Sequence, residues 1–185
     1  MKRSKLSFLM IASLIFFLTT AFYPAYAFGS NKPKGQVIGV FRKDLAEVMA
    51  RAAKQVGPRT ALIFWNAAGL DELTSSHRAL VYRLHRRKLS TFWFDPKTLH
   101  LKRGPVASLR GGNPRRNRRL ALGILRGKDK SVRRDVVLLN AAAILMVSGR
   151  CSTFKKGLAL AAQSIHSGAA LQTLQHVIRL SHDPR

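Results

Sequence analysis

The sequence predicts an α/β fold: a partial parallel-sheet βαβ unit with a hairpin and a C-terminal set of three to four helices, preceded by a hydrophobic N-terminal signal-like helix. Short strand-like apolar runs at 36–41 and 60–65 flank residues 43–56, whose apolar positions recur at helical spacing. Helix caps and long apolar stretches mark the last third of the chain. With 185 residues, of which 46% are hydrophobic, the chain can bury the core of one domain.

The first 27 residues are predicted to be a targeting segment outside this fold. A positively charged start (KRSK) precedes an apolar run over 6–22, and the small-residue signature AYA follows at 25–27. This three-part pattern is typical of a secretory signal peptide. The run is also close to the length that spans a bilayer, so an uncleaved membrane anchor is the alternative. From residues 1–27 we therefore expect a chain that is exported or membrane-anchored.

A parallel βαβ unit is predicted to follow a polar linker at 28–35 and to open the domain at 36–185. The central helix, over 43–56, ends at Gly57-Pro58. Its apolar residues follow the spacing of an amphipathic helix that faces a core. They are Leu45, Val48, Met49, Ala52, Ala53 and Val56. Because a helix connects the two strands, we expect them to be parallel.

A hairpin is predicted next, with strands at 79–84 and 89–94. Its turn, HRRK at 85–88, is a poor one, because no Gly or Asn is available to adopt positive φ. Asp95-Pro96 ends the second strand, and residues 97–112 are predicted to be irregular.

The last third of the chain is predicted to be helical. Three helical stretches are expected: one from Asn113-Pro114 to about Arg126, one over 135–147, and one over 154–180 with a break at Ser167-Gly168. The middle stretch is apolar on all sides, which places it at the centre of a core.

The charge of the chain is strongly positive, at +25 with a pI of about 11.8. Residues 102–134 contain twelve Lys or Arg and a single acid, Asp129. Four of these arginines occupy adjacent helical turns, where they could contact phosphates. They are Arg115, Arg116, Arg118 and Arg119. A solvated basic face explains them equally well, so both interpretations stay open. One function compatible with this charge is a non-catalytic basic module that binds nucleic acid or anionic membrane.

Several classes of site are excluded by residue counts. The single cysteine, Cys151, excludes an intramolecular disulfide framework and a cysteine-rich zinc site. Only two glutamates are present, Glu47 and Glu72, so a metal cage built from many carboxylates is excluded as well. Asp71-Glu72 is the only pair of adjacent acids, and it follows the strand at 60–65 by a short loop, where ligand sites of α/β folds tend to form.

A series of short strings then occurs in a fixed order from residue 36 to residue 171. The strings are QVIGVF, GLDEL, FDP, LRGGNP, RRDVVLLNAAAILMVSG and GLALAAQSIHSGAAL. This series resembles the second half of the anthranilate phosphoribosyltransferases of glycosyltransferase family 3. The resemblance implies the C-terminal portion of that family's α/β domain. It also implies the family reaction, in which a phosphoribosyl group moves from phosphoribosyl pyrophosphate to anthranilate in tryptophan biosynthesis.

The resemblance gives Asp71 and Glu72 a role, the contact with magnesium and the diphosphate. Without the resemblance, the two acids would be interpreted as residues that only offset part of the surrounding positive charge. The preceding residues depart from the family pattern Val-Val-His-Gly-x-Asp-Gly-Leu-Asp-Glu. Trp65 stands at the His position, Asn66 at the Gly position and Ala68 at the first Asp position. Replacing a glycine that lets the backbone approach a ligand is expected to be costly.

Two further family strings do not occur in these 185 residues. They are the phosphate cradle, similar to Gly-Thr-Gly-Gly-Asp, and a basic segment similar to Lys-His-Gly-Asn-Arg. Because a Gly-rich loop supplies backbone N–H groups to phosphates, we expect a truncated, diverged relative with little or no activity alone. Another chain that supplies the missing half would then be its partner. The family works in the cytoplasm or a plastid, which conflicts with the export predicted from residues 1–27.

Overall fold

The computed structural model describes residues 35–182. The predicted signal-like helix of 1–27 lies outside this range, as does the predicted linker apart from Gly35. Within residues 35–182, no helix combines the length and the hydrophobicity that crossing a bilayer requires.

Four strands and five α-helices make up the described part of the chain. In order they are β1 (Gly35–Val40), α1 (Lys43–Val56), β2 (Thr60–Asn66), β3 (Ala79–His85), β4 (Lys88–Phe94), α2 (Pro114–Leu125), α3 (Val132–Val147), α4 (Phe154–His166) and α5 (Ala169–Ser181). Two 3₁₀ turns, Pro96–Leu99 and Val106–Leu109, interrupt the stretch that the sequence predicts to be irregular. The predicted α/β class, the hairpin and the C-terminal helices are confirmed.

The strands form one mixed sheet in the order β1-β2-β3-β4. β1 and β2 are parallel, as the strand–helix–strand pattern predicts, and the other two pairs are antiparallel. β2 is buried on both faces because helices cover each side of the sheet. Leu62 and Phe64 pack towards α3, whereas Ala61 and Ile63 pack towards α1. The sheet is therefore the middle of three layers.

The amphipathic pattern of α1 predicts the wrong buried face. The residues that α1 buries are alanines: Ala46, Ala50 and Ala53. Val48 and Val56, which the pattern assigns to the core, are 61% and 57% exposed. The physical reason is the short distance between α1 and the sheet. Small alanine side chains let the helix lie close to the sheet, and the larger apolar side chains of α1 then stay outside that contact.

The helical half of the domain is organised around α3. Its residues are buried on nearly all sides, as its uniformly apolar sequence predicts. The helices that precede and follow it in the chain, α2 and α4, each begin with a side-chain cap. Asn113 accepts a hydrogen bond from the Arg116 N–H, and Thr153 accepts one from the Lys156 N–H. The break between α4 and α5 is confirmed at Gly168, whose φ is 78°.

The hairpin turn forms despite its unfavourable residues. His85 pairs with Lys88, so the loop contains only Arg86 and Arg87. Their φ values are 47° and 67°. Positive φ at both positions matches the twist of a two-residue hairpin, but each arginine has a Cβ that disfavours this region by about 1 kcal/mol. The long antiparallel pairing of β3 with β4 offsets this cost.

α4 packs directly on α3 because Gly157 has no side chain. A Cβ on Gly157 would lie 2.7 Å from the Cβ of Ala142 and 2.9 Å from its Cα. Ala142 is fully buried, so it has no room to retreat. Gly123 in α2 is different, because a Cβ there would meet nothing closer than Asp129, at 3.8 Å.

These two helical glycines give a matched test of the packing. Replacing glycine by alanine inside a helix gains about 1 kcal/mol of helix propensity. We expect Gly123→Ala to raise the free energy of unfolding by up to that amount. We expect Gly157→Ala to lower it by about 1–2 kcal/mol, because overpacking outweighs the propensity gain. Urea unfolding measures both, and equal stabilisation of the two variants would contradict the close α3–α4 contact.

Candidate functional site

The acidic pair lies in a loop, residues 67–78, that joins β2 to β3. The base of this loop is closed by a hydrogen bond of 3.2 Å from the Ala67 N–H to the Arg78 carbonyl. The loop crosses the carboxyl end of β1, where a Cβ at Gly39 would overlap the carbonyl oxygen of Asp71. The acids therefore lie at the carboxyl ends of the two parallel strands, the edge where α/β folds form ligand sites.

Asn66 holds the first half of the loop from inside. Its side chain is fully buried at the end of β2. The Nδ2 group donates to the carbonyls of Leu70, at 2.8 Å, and Glu72, at 2.5 Å. Its Oδ1 accepts a hydrogen bond of 2.8 Å from the Ala68 N–H. The residue that replaces the family glycine thus satisfies three backbone groups of the loop, a structural role that the sequence pattern did not predict.

Asn140 holds the second half of the loop from the core helix α3. Its Oδ1 accepts from the Leu73 N–H at 3.0 Å, and its Nδ2 donates to the Leu73 carbonyl at 2.8 Å. The same Nδ2 also donates to Val136, one turn earlier in α3. Asn140 is 6% exposed. Buried backbone groups must be hydrogen-bonded, so this amide fixes the residue that follows Glu72.

The far end of the loop is tied to residues 101–104. The Ser75 hydroxyl donates to the Lys102 carbonyl at 2.6 Å, and the Ser76 hydroxyl donates to the Gly104 carbonyl at 2.8 Å. The Gly104 N–H donates back to Ser76. The whole loop is consequently attached to β2, to α3 and to the segment after the hairpin.

The two acids occupy different environments. Asp71 is exposed, whereas Glu72 is 5% exposed. No group of three or more His, Cys, Asp or Glu residues able to hold a metal occurs in the described part of the chain. Mg²⁺ commonly uses one or two carboxylates and completes its coordination with waters and substrate phosphates. The pair fits that pattern, with one exposed carboxylate, Asp71, next to a buried one, Glu72.

A cluster of tryptophans and cations, not predicted from the sequence, lies beside the loop base. Trp65 and Trp93 are both within 6.0 Å of the Lys43 ammonium. The Arg78 guanidinium lies 5.2 Å from the Trp93 ring and 3.8 Å from the Asp95 carboxylate. These cation–π contacts connect α1, β2 and β4 around the last residue of the loop. The signal available in the sequence was Trp65 itself, at the position where the family has histidine.

The four arginines predicted to bind anions lie elsewhere, on the first turns of α2. All four are exposed: Arg115, Arg116, Arg118 and Arg119. No acidic residue lies in that first turn to offset them. α2 packs through Ala121 and Ile124 into the helical core, whereas the acidic loop packs at the end of the sheet. The structure therefore does not bring the arginines and the acidic pair into one site.

Cys151 is partly buried, and this burial raises the pKa of its thiol above the usual value.

The comparisons with known proteins identify the family. The family model described as "Glycosyl transferase family, a/b domain" matches residues 28–171. Anthranilate phosphoribosyltransferase from Brucella canis is 42% identical over 150 residues, which cover 81% of this chain and 44% of that protein. The orthologous protein of Brucella ovis is 41% identical over the same length. The chain thus spans less than half the length of the curated relatives it matches.

Solved structures give the same result. Anthranilate phosphoribosyltransferase from Saccharomyces cerevisiae, in complex with 4-fluoroanthranilate, superposes with a TM-score of 0.72 at 31% identity, over 78% of this chain and 42% of that one. The same yeast protein in complex with PRPP and Mg gives a TM-score of 0.70 at 30% identity, over 77% and 41% of the two chains.

These relatives also correct the prediction of location. The export or membrane anchoring expected from residues 1–27 is wrong, because the chain matches enzymes of amino-acid biosynthesis. The family motifs, which conflicted with that expectation, favoured this outcome. The match over residues 28–171, the 42% identity and the shared fold lead to one conclusion: the chain belongs to glycosyltransferase family 3, with the anthranilate phosphoribosyltransferases among its relatives.

Proposed function

We propose that residues 35–182 form the metal–diphosphate side of a phosphoribosyl transfer site, with phosphoribosyl pyrophosphate as donor and anthranilate as acceptor. The observation that supports this most directly is the acidic loop. Asp71 and Glu72 follow a rigidly held turn at the carboxyl end of β2, and Asn66 and Asn140 satisfy its buried backbone. A relative in complex with PRPP and Mg shares the fold.

In this proposal each residue of the loop has a separate task. The exposed Asp71 presents a carboxylate to Mg²⁺, and the buried Glu72 supplies the second negative charge of the pair. When bound, Mg²⁺ neutralises charge that develops on the diphosphate leaving group. Asn140 and Asn66 position the two acids without touching substrate. Keeping the loop rigid matters because a misplaced carboxylate loses much of its effect on the transition state.

We further propose that these 185 residues alone do not complete the site. The Gly-rich string that would cradle the donor's phosphates does not occur in them. A pair of carboxylates attracts the metal but holds neither the ribose nor the acceptor. The comparisons lend no support to the alternative of a non-catalytic basic module.

The first test uses the complementary segment, defined as the part of the Brucella canis relative that has no counterpart here, fused ahead of Gly35. We expect this chimera to transfer phosphoribosyl groups to anthranilate in the presence of Mg²⁺. Asp71→Asn should lower its kcat/KM roughly 100-fold or more, since the charge on the metal–diphosphate contact is lost. Asp44→Asn, at an exposed carboxylate of α1 paired with Arg42, should change kcat/KM by less than about twofold.

The unfused 185-residue chain should show no turnover in the same assay. Turnover by this chain that disappears in Asp71→Ala would refute the claim that the site is incomplete. A chimera that folds but loses nothing in Asp71→Asn would refute the role of the acidic pair.

A second test separates loop positioning from general stability. Asn140 and Asn117 make the same kind of contact, because Asn117 also clasps the backbone N–H and carbonyl of one loop residue, Gly112. Either change to alanine should lower the free energy of unfolding by about 2 kcal/mol, as buried backbone groups lose their partners. Only Asn140→Ala should speed hydrogen exchange at Leu73 and weaken the response of Asp71 to Mg²⁺, both measured by NMR. An equal effect of Asn117→Ala on Leu73 would argue against a specific clamp.

The anion-binding role of the four arginines stays a prediction with its own test. If all four arginines contact phosphates, the association constant for duplex DNA falls steeply as the salt concentration rises. Changing the four to Gln should then reduce the magnitude of the slope of log K against log salt concentration by roughly 3–4. The exposed pair Arg86→Gln with Arg87→Gln serves as the control, and vesicles with anionic lipid serve as the second ligand. A slope unchanged by the four substitutions would mark the arginines as a solvated face.

A further inference from the structure

Trp65 and Trp93 lie in one row across the sheet. Leu80 of β3 stands between them in the register, paired with Trp65 on β2 and with Trp93 on β4. Directly paired residues of neighbouring strands share a face, so both indole rings lie on the same side of the sheet. It is the side that α1 covers, because Ile63, two residues before Trp65, packs against α1. The Lys43 ammonium at the start of α1 lies 6.0 Å from each ring.

Arg78 joins the end of the acidic loop to this row. The antiparallel register of β3 and β4 ends with the pair Ala79–Phe94. Arg78 and Asp95 are the next residues beyond this pair, so they stand opposite each other. The Arg78 Nε atom lies 3.8 Å from the Asp95 Oδ2 atom, and the guanidinium lies 5.2 Å from the centre of the Trp93 ring. One side chain of the loop thus contacts β4 and its end at two points, an aromatic face and a carboxylate.

The carboxylate of Asp95 is itself held in place. Its Oδ1 atom accepts a hydrogen bond of 3.0 Å from the Lys97 N–H and caps the 3₁₀ turn Pro96–Leu99. Its other oxygen, Oδ2, is the one that faces Arg78. An exposed ion pair is weak partly because two side chains lose freedom when they pair. Because the turn already fixes one of the two partners, this cost is smaller here.

The main chain of Arg78 closes the base of the loop. Its carbonyl accepts the hydrogen bond of 3.2 Å from the Ala67 N–H, at the point where the loop leaves β2. The next amide, that of Ala68, is held by Asn66, which also binds the Glu72 carbonyl. A short series of contacts therefore runs from β4, through Arg78, Ala67 and Asn66, to the main chain of the acidic pair.

We infer that Arg78 is a positioning residue for the acidic pair. Its contacts with Trp93 and Asp95 fasten the exit of the loop to β4, and this fastening fixes where the two carboxylates meet Mg²⁺. The inference rests on the proposed function, since it concerns how the loop presents the pair to the metal. It gives Arg78 no contact with substrate. Its physical basis is that carboxylates held in the productive geometry lose less freedom when the metal binds.

The sign of the effect on metal binding distinguishes this role from that of a charge. A cation repels Mg²⁺, so if Arg78 acted only through its charge, Arg78→Gln would leave the affinity for Mg²⁺ unchanged or raise it. If Arg78 positions the loop, the same substitution should weaken Mg²⁺ binding at Asp71 by about fivefold, because a cation–π contact and an ion pair are lost together. NMR titration of the full 185-residue chain with Mg²⁺ alone measures this affinity.

Lys43→Gln is the matched control. It removes the other cation of the cluster, which lies near the same Trp93 ring but belongs to α1 and not to the loop. It should leave the affinity for Mg²⁺ within about twofold of that of the unaltered chain. Trp65 and Trp93 are the only tryptophans of the chain, so tryptophan fluorescence shows whether both variants keep the cluster folded.

A second readout needs no metal. Ala67 is exposed, so hydrogen exchange of its amide reports the hydrogen bond to the Arg78 carbonyl. We expect Arg78→Gln to speed this exchange by about fivefold, and Arg78→Lys, which keeps a positive charge near Trp93, to speed it less. Lys43→Gln should leave it unchanged. The chimera defined above should lose kcat/KM in the same order. Unchanged exchange at Ala67 in Arg78→Gln would overturn the inference.

The two readouts separate this inference from the proposed function. Faster exchange at Ala67 in Arg78→Gln, with no response of Asp71 to Mg²⁺ in the unaltered chain, would refute the metal role of the acidic pair alone. A normal response to Mg²⁺ that Arg78→Gln leaves intact or strengthens would refute the positioning role alone.

Discussion

The structure around the acidic pair depends on one constraint: a loop that crosses the sheet must satisfy its backbone where water does not reach. The main chain at Asp71 lies directly on β1, and only the glycine at position 39 leaves it room. Asn66 and Asn140 then supply the hydrogen bonds that solvent would otherwise provide. Leaving such a group without a partner costs about 1–3 kcal/mol, so the conformation that satisfies all of them is strongly preferred.

The constraint connects the site to the core. Asn140 is on α3, whose apolar residues pack both on the sheet and on the surrounding helices. The position of Asn140 is therefore set by the burial of core residues such as Leu139 and Ala142. Because Asn140 grips the main chain next to Glu72, the same burial sets where the carboxylates lie. Packing in the core therefore determines where the backbone next to the acidic pair lies.

The sequence predicts the elements better than their surroundings. The βαβ unit, the hairpin, the caps of the helices and the central place of α3 all follow from local patterns, and the structure confirms them. The roles of Asn66 and Asn140 could not be predicted, since each depends on backbone groups brought close by the fold; in the sequence they are two polar residues in apolar runs. The turn at Arg86 and Arg87 shows the reverse case, in which strand pairing overrides an unfavourable local preference.

The error on α1 is the most informative one. Periodicity records which residues of α1 are apolar, but it does not record which of them the sheet covers. Within residues 35–182 the sheet packs against alanines of α1, and Val48 and Val56 stay exposed. Apolar periodicity in a single helix therefore does not identify the buried face where small residues make the closest contact with a sheet.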